Sequence, residues 1–298
     1  MSLGTVQLGM NYGIANDGGQ PCEEQSREML RSALDAGITS LDTARAYGDS
    51  EDVLGRFLKD ISEKPFITTK IPAFDIEDDR EIEKYIIETV EESLTRLGVS
   101  KVNNLMLHNS QNLYHKAETT AKIMATLPKR GYCDMVGVSV YTQADVEELL
   151  KYPQYTATQI PMSIFDQRLI NSGTVDALRE RDFTVFVRSV FLQGVFFLDP
   201  EKITDPILLE YAKPKIIKLR EYAEKEGKTI AQTAIAFMRD IPGITSLVLG
   251  ADTKEQVLKD ISHFDAPPLS EETVAGIRRD FADVNIPKIM EVLSRPKN

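Results

Sequence analysis

Apolar positions along the chain follow two alternating rhythms. Short strand-like runs begin near Leu3, Thr39, Phe66, Val102, Met135, Thr156, Thr184 and Thr245. Longer stretches between them repeat apolar residues every three or four positions, as helices do. One carries Met29, Leu30, Ala33 and Leu34 and closes at Gly37. Another starts after Gly48-Asp49-Ser50 and carries Val53, Leu54, Phe57 and Leu58. A third carries Ile82, Ile86, Val90, Leu94 and Leu97 and closes at Gly98, and glycine is a good helix C-cap. Thr142 reads as the N-cap of a helix running through Glu147–Leu150. Runs such as Val136-Gly137-Val138 and Leu247-Val248-Leu249 look apolar on both faces, the mark of parallel strands covered by helices.

Eight strand–helix units in roughly 250 residues fit a closed (β/α)8 TIM barrel better than an open doubly wound sheet. No composition break or linker divides the chain, so residues 1–298 are expected to form a single domain. The segment Phe191–Pro214 is a long apolar connection, which marks a functional loop. A helix from Thr253 follows the last strand. An extra C-terminal helix from Ser270 to about Val284 then precedes a short polar tail. Strand 1 begins almost at once, so nothing is seen to plug the barrel floor.

Charge and cysteine content narrow the partners. The net charge is −11, with 46 acidic against 35 basic residues. That balance argues against nucleic acid and against anionic membranes as partners. Cys22 and Cys133 stand apart in no metal-type spacing, and no metal site is expected. No basic-then-apolar leader is visible. A soluble, cytoplasmic protein is the expectation; its oligomeric state is left open.

Chemistry-bearing residues gather at strand ends. Asp42 and Tyr47 leave strand 2, Lys70 ends strand 3 and His108 follows strand 4. Adjacent strands lie about 4.8 Å apart, so the four side chains can converge over one mouth of a barrel. An ammonium beside a phenol lowers its pKa. Lys70 is therefore expected to acidify Tyr47, with Asp42 holding Lys70 and a neutral His108 orienting a substrate oxygen. A tyrosine so tuned can protonate an oxygen as charge builds on it. Each residue alone has a plainer reading as a turn, a solvated strand end or a structural histidine. His115 and His263 show no companions.

Asp42-Thr43-Ala44-Arg45-Ala46-Tyr47-Gly48, Thr69-Lys70, Leu107-His108-Asn109 and Gly137-Val138-Ser139-Val140-Tyr141 together resemble the aldo-keto reductases. The resemblance implies a barrel enzyme that reduces carbonyls with a nicotinamide cofactor, with Asp42, Tyr47, Lys70 and His108 as its tetrad. No G-x-G-x-x-G fingerprint is present, and the resemblance implies a cofactor lying extended across the barrel mouth. Ser139 and Gln159 match positions that hold the carboxamide. Gly4, Thr5 and Asp42 lie by the nicotinamide ribose, and Ser189, Phe191, Gln193 and Gly194 form the pyrophosphate strap. Gly250, Asp252 and Gln256 mark the adenosine end, where Thr253 and Gln256 also suit a helix cap.

NADP(H) is the implied cofactor. Asp252 keeps NAD(H) open, because a carboxylate repels a 2′-phosphate, and Lys254 is the candidate to compensate. Arg188 stands where relatives stack an aromatic ring. It either stacks on the nicotinamide, binds an acidic substrate group or pairs with a carboxylate. Tyr12, Tyr47, His108 and Phe165 are candidate walls of the substrate pocket, with Met10, Asn11, Phe74 and the Phe191–Leu198 loop. A small aldehyde, ketone or sugar-like carbonyl would suit them. The rival readings are a cofactor-binding regulatory subunit with little turnover and a Schiff-base aldolase using Lys70.

Overall fold

The computed structural model describes residues 1–12 and 19–295. Eight parallel strands close into a barrel in sequence order. They are β1 (Ser2–Gly4), β2 (Ser40–Asp42), β3 (Phe66–Ile71), β4 (Val102–Leu107), β5 (Cys133–Ser139), β6 (Ala157–Pro161), β7 (Thr184–Arg188) and β8 (Ser246–Gly250). The ring closes where Leu3 pairs with Leu249 and Gly4 with Gly250. Helices connect the strands, as the (β/α)8 expectation required.

The strands alternate more than their sequences suggest. One set of side chains belongs to the large core beneath the helices: Leu3, Leu41, Ile67, Leu105, Val136, Val138, Val185, Val187, Leu247 and Leu249. The residues between them face the barrel interior, where Met106, Ala157 and Phe186 pack with Phe66, Met135 and Val248 in a separate cluster. Phe66 and Phe186 have ring centroids 6.2 Å apart. Side chains therefore pack the interior. Gly137 is required there, because a Cβ at that position would stand 2.2 Å from the Ala157 carbonyl oxygen.

Helix ends follow local chemistry. The helix Asp79–Leu97 starts at Asp78, which accepts the amides of Arg80 and Glu81, and stops at Gly98 in the left-handed region. Thr142 caps its helix in a reciprocal box with Asp145. The expected loop after β7 contains two 3-10 turns, Leu192–Phe197 and Pro200–Lys202, and the helix Pro206–Tyr211. Two helices, Glu271–Asp280 and Ile286–Leu293, follow the helix Lys254–Phe264. Most of the expected polar tail is thus helical, anchored by buried Ile286 and Ile289; residues 296–298 lie outside the described set. No helix among the described residues is long and apolar enough to cross a membrane.

Candidate active site

The interior-facing residues at the C-terminal ends of the strands form the floor and walls of a cleft of about 660 Å³. Gly4, Asp42, His108, Ser139, Gln159, Arg188 and Gly250 all line it. Lys70 lies beneath, with its side chain fully buried.

Lys70 Nζ donates to Asp42 Oδ1 at 2.7 Å and to the Thr43 carbonyl at 2.9 Å. Two of its three protons are thereby engaged. The second carboxylate oxygen, Asp42 Oδ2, accepts from Gln159 Nε2 at 2.7 Å. Asp42 and Lys70 are each desolvated, and the pairing with its added hydrogen bonds is what makes that burial tolerable. The Lys70 pKa sits above its ordinary value: burial pulls it down, and Asp42 and Tyr47 more than restore it.

Tyr47 lies beside this pair, with Lys70 Nζ 5.0 Å from its ring centroid. Its ring meets His108 edge-on at 5.3 Å and 78°. The backbone here is held by close packing against the segment after β1. A Cβ on Gly9 would stand 1.7 Å from the Tyr47 carbonyl oxygen, and Gly48, at φ +53°, faces the Gly9 carbonyl in turn. Below it, Ser50 Oγ donates to the Thr5 carbonyl at 2.8 Å and lies 3.0 Å from Thr43 Oγ1.

Lys70 acts on Tyr47 in the expected direction, but burial acts more strongly. Burial pushes its phenol above the ordinary range; Lys70 opposes this without reversing it. The ammonium offsets a desolvation cost rather than producing an acidic phenol. His108 behaves as expected: burial, then the charges of Lys70 and Arg188, bring it down to about 4, so it is neutral near pH 7.

Other expected positions divide. Tyr12, Tyr141, Ser189, Phe191, Gln193, Gly194 and Phe197 line the cleft, as do Thr5, Asp252 and Gln256 at its other edges. Phe165 does not. It is buried against Phe196 and Phe281 at 4.6 and 5.3 Å and belongs to the core. Phe74 is likewise buried, against Tyr85. Lys254 donates to Glu28 at 2.7 Å, so it is drawn away from the role of phosphate counter-charge. Gln256 Oε1 accepts the Asp252 amide at 2.6 Å, which gives it a capping task. Arg188 pairs with no carboxylate among the described residues; its guanidinium stacks 4.4 Å above the Tyr141 ring.

Residues that sequence reasoning passed over also line the cleft: Gln7, Lys259, Asp260 and His263. His263 Nδ1 lies 3.9 Å from Asp260, so that histidine has a companion after all. So has His115, which lies 3.5 Å from Asp75 and 3.8 Å from Glu77, itself paired with Lys116.

The cleft suits an elongated polar ligand such as a dinucleotide. Gln7 Oε1 and Arg188 Nη2 are buried without hydrogen-bond partners. A Cβ on Gly250 would strike the Gln7 amide at 2.5 Å, so glycine keeps that edge open. In the strap after β7, Ser189, Leu192, Gln193 and Gly194 all have positive φ. Strained backbone of this kind concentrates at ligand clamps.

A family model described as the Aldo/keto reductase family matches residues 1–279. The chain belongs to the aldo/keto reductase family. It is an oxidoreductase of a family whose chemistry is NAD(P)H-dependent carbonyl reduction. Among curated aldo/keto reductase relatives, the L-glyceraldehyde 3-phosphate reductase of Escherichia coli (strain K12) is 25% identical over 95% of this chain and 90% of its own. An aldo-keto reductase of Bacillus subtilis (strain 168) is 25% identical over 84% and 80%. The fold is shared with a solved aldo-keto reductase of Bacillus halodurans in its holo form, at TM-score 0.78 and 22% identity, covering 94% of this chain and 91% of that one. A glycerol dehydrogenase of Gluconobacter oxydans is similar at TM-score 0.76 and 20% identity, covering 100% and 93%.

Proposed function

We propose that this chain, as one barrel domain over residues 1–298, reduces an aldehyde or ketone to the alcohol, with Tyr47 as proton donor and NADP(H) as cofactor. The observation that carries the reading is the buried Asp42–Lys70 pair beneath Tyr47 and His108 at the head of the cleft.

When bound, the reduced nicotinamide supplies a hydride to the carbonyl carbon. Negative charge then gathers on the carbonyl oxygen. His108, neutral, donates an N–H to that oxygen and fixes its position. Tyr47 gives up its proton to the same oxygen. The phenolate left behind is stabilised by Lys70, whose charge Asp42 and the Thr43 carbonyl keep in place. Because burial alone raises the phenol's pKa, Lys70 is most useful once the proton has left. A Schiff base on Lys70 is disfavoured, since Asp42 holds it as an ammonium.

Gly4, Thr5, Asp42, Ser139 and Gln159 would hold the nicotinamide end. Ser189, Phe191, Gln193 and Gly194 would hold the pyrophosphate, and Gly250, Asp252 and Gln256 the adenosine. Lys259 at that end supports NADP(H). Asp252, with Lys254 drawn off to Glu28, favours NAD(H) as the second reading. The E. coli relative, named for reduction of a phosphorylated aldehyde, supports a small carbonyl compound as the substrate class.

Tyr47→Phe should lower kcat by about 10²–10⁴-fold while leaving NADPH affinity, read from the cofactor's own fluorescence, within about threefold. Running the wild type with NADPH and NADH decides the cofactor; a strong NADH preference reverses that choice. Wild-type protein that binds the cofactor but turns over no carbonyl would favour the regulatory-subunit reading.

A further inference from the structure

Arg188 ends β7 as a wall between the main cleft and a side cavity of about 70 Å³. That cavity has room for a few heavy atoms. Tyr141 supports one face of the guanidinium, but stacking does not satisfy its N–H groups. Nη2 is buried and makes no hydrogen bond. Asp166, the carboxylate bordering the side cavity, is already taken by Arg168 at 2.7 and 2.8 Å. Ser163, fully buried on the same cavity, accepts the Asp166 amide at 3.0 Å, which leaves its own hydroxyl proton to donate. An unpaired guanidinium nitrogen and a hydroxyl therefore border one small space. A desolvated charged donor left in that state is costly, and an anionic acceptor relieves it.

The position relative to the reacting groups matters as much. Arg188 is near enough for its charge to act on Tyr12, Tyr47 and His108. We propose that the substrate is a carbonyl compound bearing a carboxylate or phosphate, and that Arg188 grips this anion at the side cavity while the carbonyl meets Tyr47 and His108. The inference rests on the carbonyl-reductase reading above. A guanidinium suits the task better than an ammonium, because its planar fork matches either oxyanion through paired hydrogen bonds.

Matched substrates test it: 4-carboxybenzaldehyde against benzaldehyde, and glyceraldehyde 3-phosphate against glyceraldehyde. The wild type should favour the anionic member of at least one pair by about tenfold or more in kcat/KM. The pair with the larger preference tells carboxylate from phosphate. Arg188→Gln should cut kcat/KM for the anionic member about tenfold more than for its neutral partner, mainly through KM, and Arg188→Lys should restore part of the difference. Equal losses on both members would overturn the proposal. So would an NADPH affinity that falls in step with kcat/KM, which would assign Arg188 to the cofactor. Turnover without charge preference overturns this proposal alone; turnover of none of the four overturns the carbonyl-reductase reading with it.

Discussion

Side chains around Lys70 titrate away from where they would in water, and in directions that serve reduction. His108 is brought down to about 4, first by burial and then by Lys70 and Arg188, so it loses its proton well below neutrality. Tyr47 is raised by burial, so it keeps its proton past neutrality. A neutral imidazole and a protonated phenol are the forms the proposed step needs. Reductive kcat/KM should therefore be flat from about pH 5.5 to 9, falling only in more acid or more alkaline solution. An inflection near 6.5 in the pH profile would contradict this. At this scale Asp42, Tyr47, Lys70 and His108 were legible only together, because four polar groups at the ends of neighbouring barrel strands converge on one mouth. Phe165 was misplaced because an aromatic residue after a strand looks the same whether it faces a pocket or packs on Phe281. Asp260 and His263 were missed, although both follow Gln256 at helical spacing and so share its face.

Strands and loops show where pattern reading was coarse. The strands looked apolar on both sides, but every second residue faces the interior, and the last interior residue of each strand borders the cleft or lies just beneath it. Counting by two from Asp42 or Lys70 through the barrel register leads to Gly4, Ser139, Gln159, Arg188 and Gly250, which the family resemblance alone had named. The final helix escaped notice because Pro287 in its first turn reads as a break, whereas proline is tolerated there. The loop bearing Tyr47 depends on Gly9, which no periodicity marks. Gly9→Ala would force the Tyr47 carbonyl and the segment after β1 apart. Overpacking of this kind costs about 1–3 kcal/mol or more. A lower Tm together with reduced kcat is expected. An unchanged Tm would mean that the two segments separate freely.

For the molecule as a whole, a single carboxyl leaves a mark on the stability curve. Burial raises Asp260 to about 7. The unfolded chain sheds this proton near the ordinary carboxylate value, and the folded chain retains it until about pH 7. Stability from this group is therefore complete in acid and declines as pH rises from about 4 to about 7, then levels. Asp260→Asn should raise Tm at pH 8 more than at pH 5, and thermal melts at the two values check it. An equal change at both would show that Asp260 does not titrate as its burial implies.

The hydrogen bond from Gln159 on β6 to Asp42 on β2 joins residues 117 positions apart and crosses the ring. A slip of one residue in either strand would turn its side chain outward. Neither half of the chain can assemble the site alone, and such distant pairings form slowly. Catalytic turnover in a refolding experiment should consequently lag behind the recovery of helix signal, because it registers only molecules whose circumference has been completed.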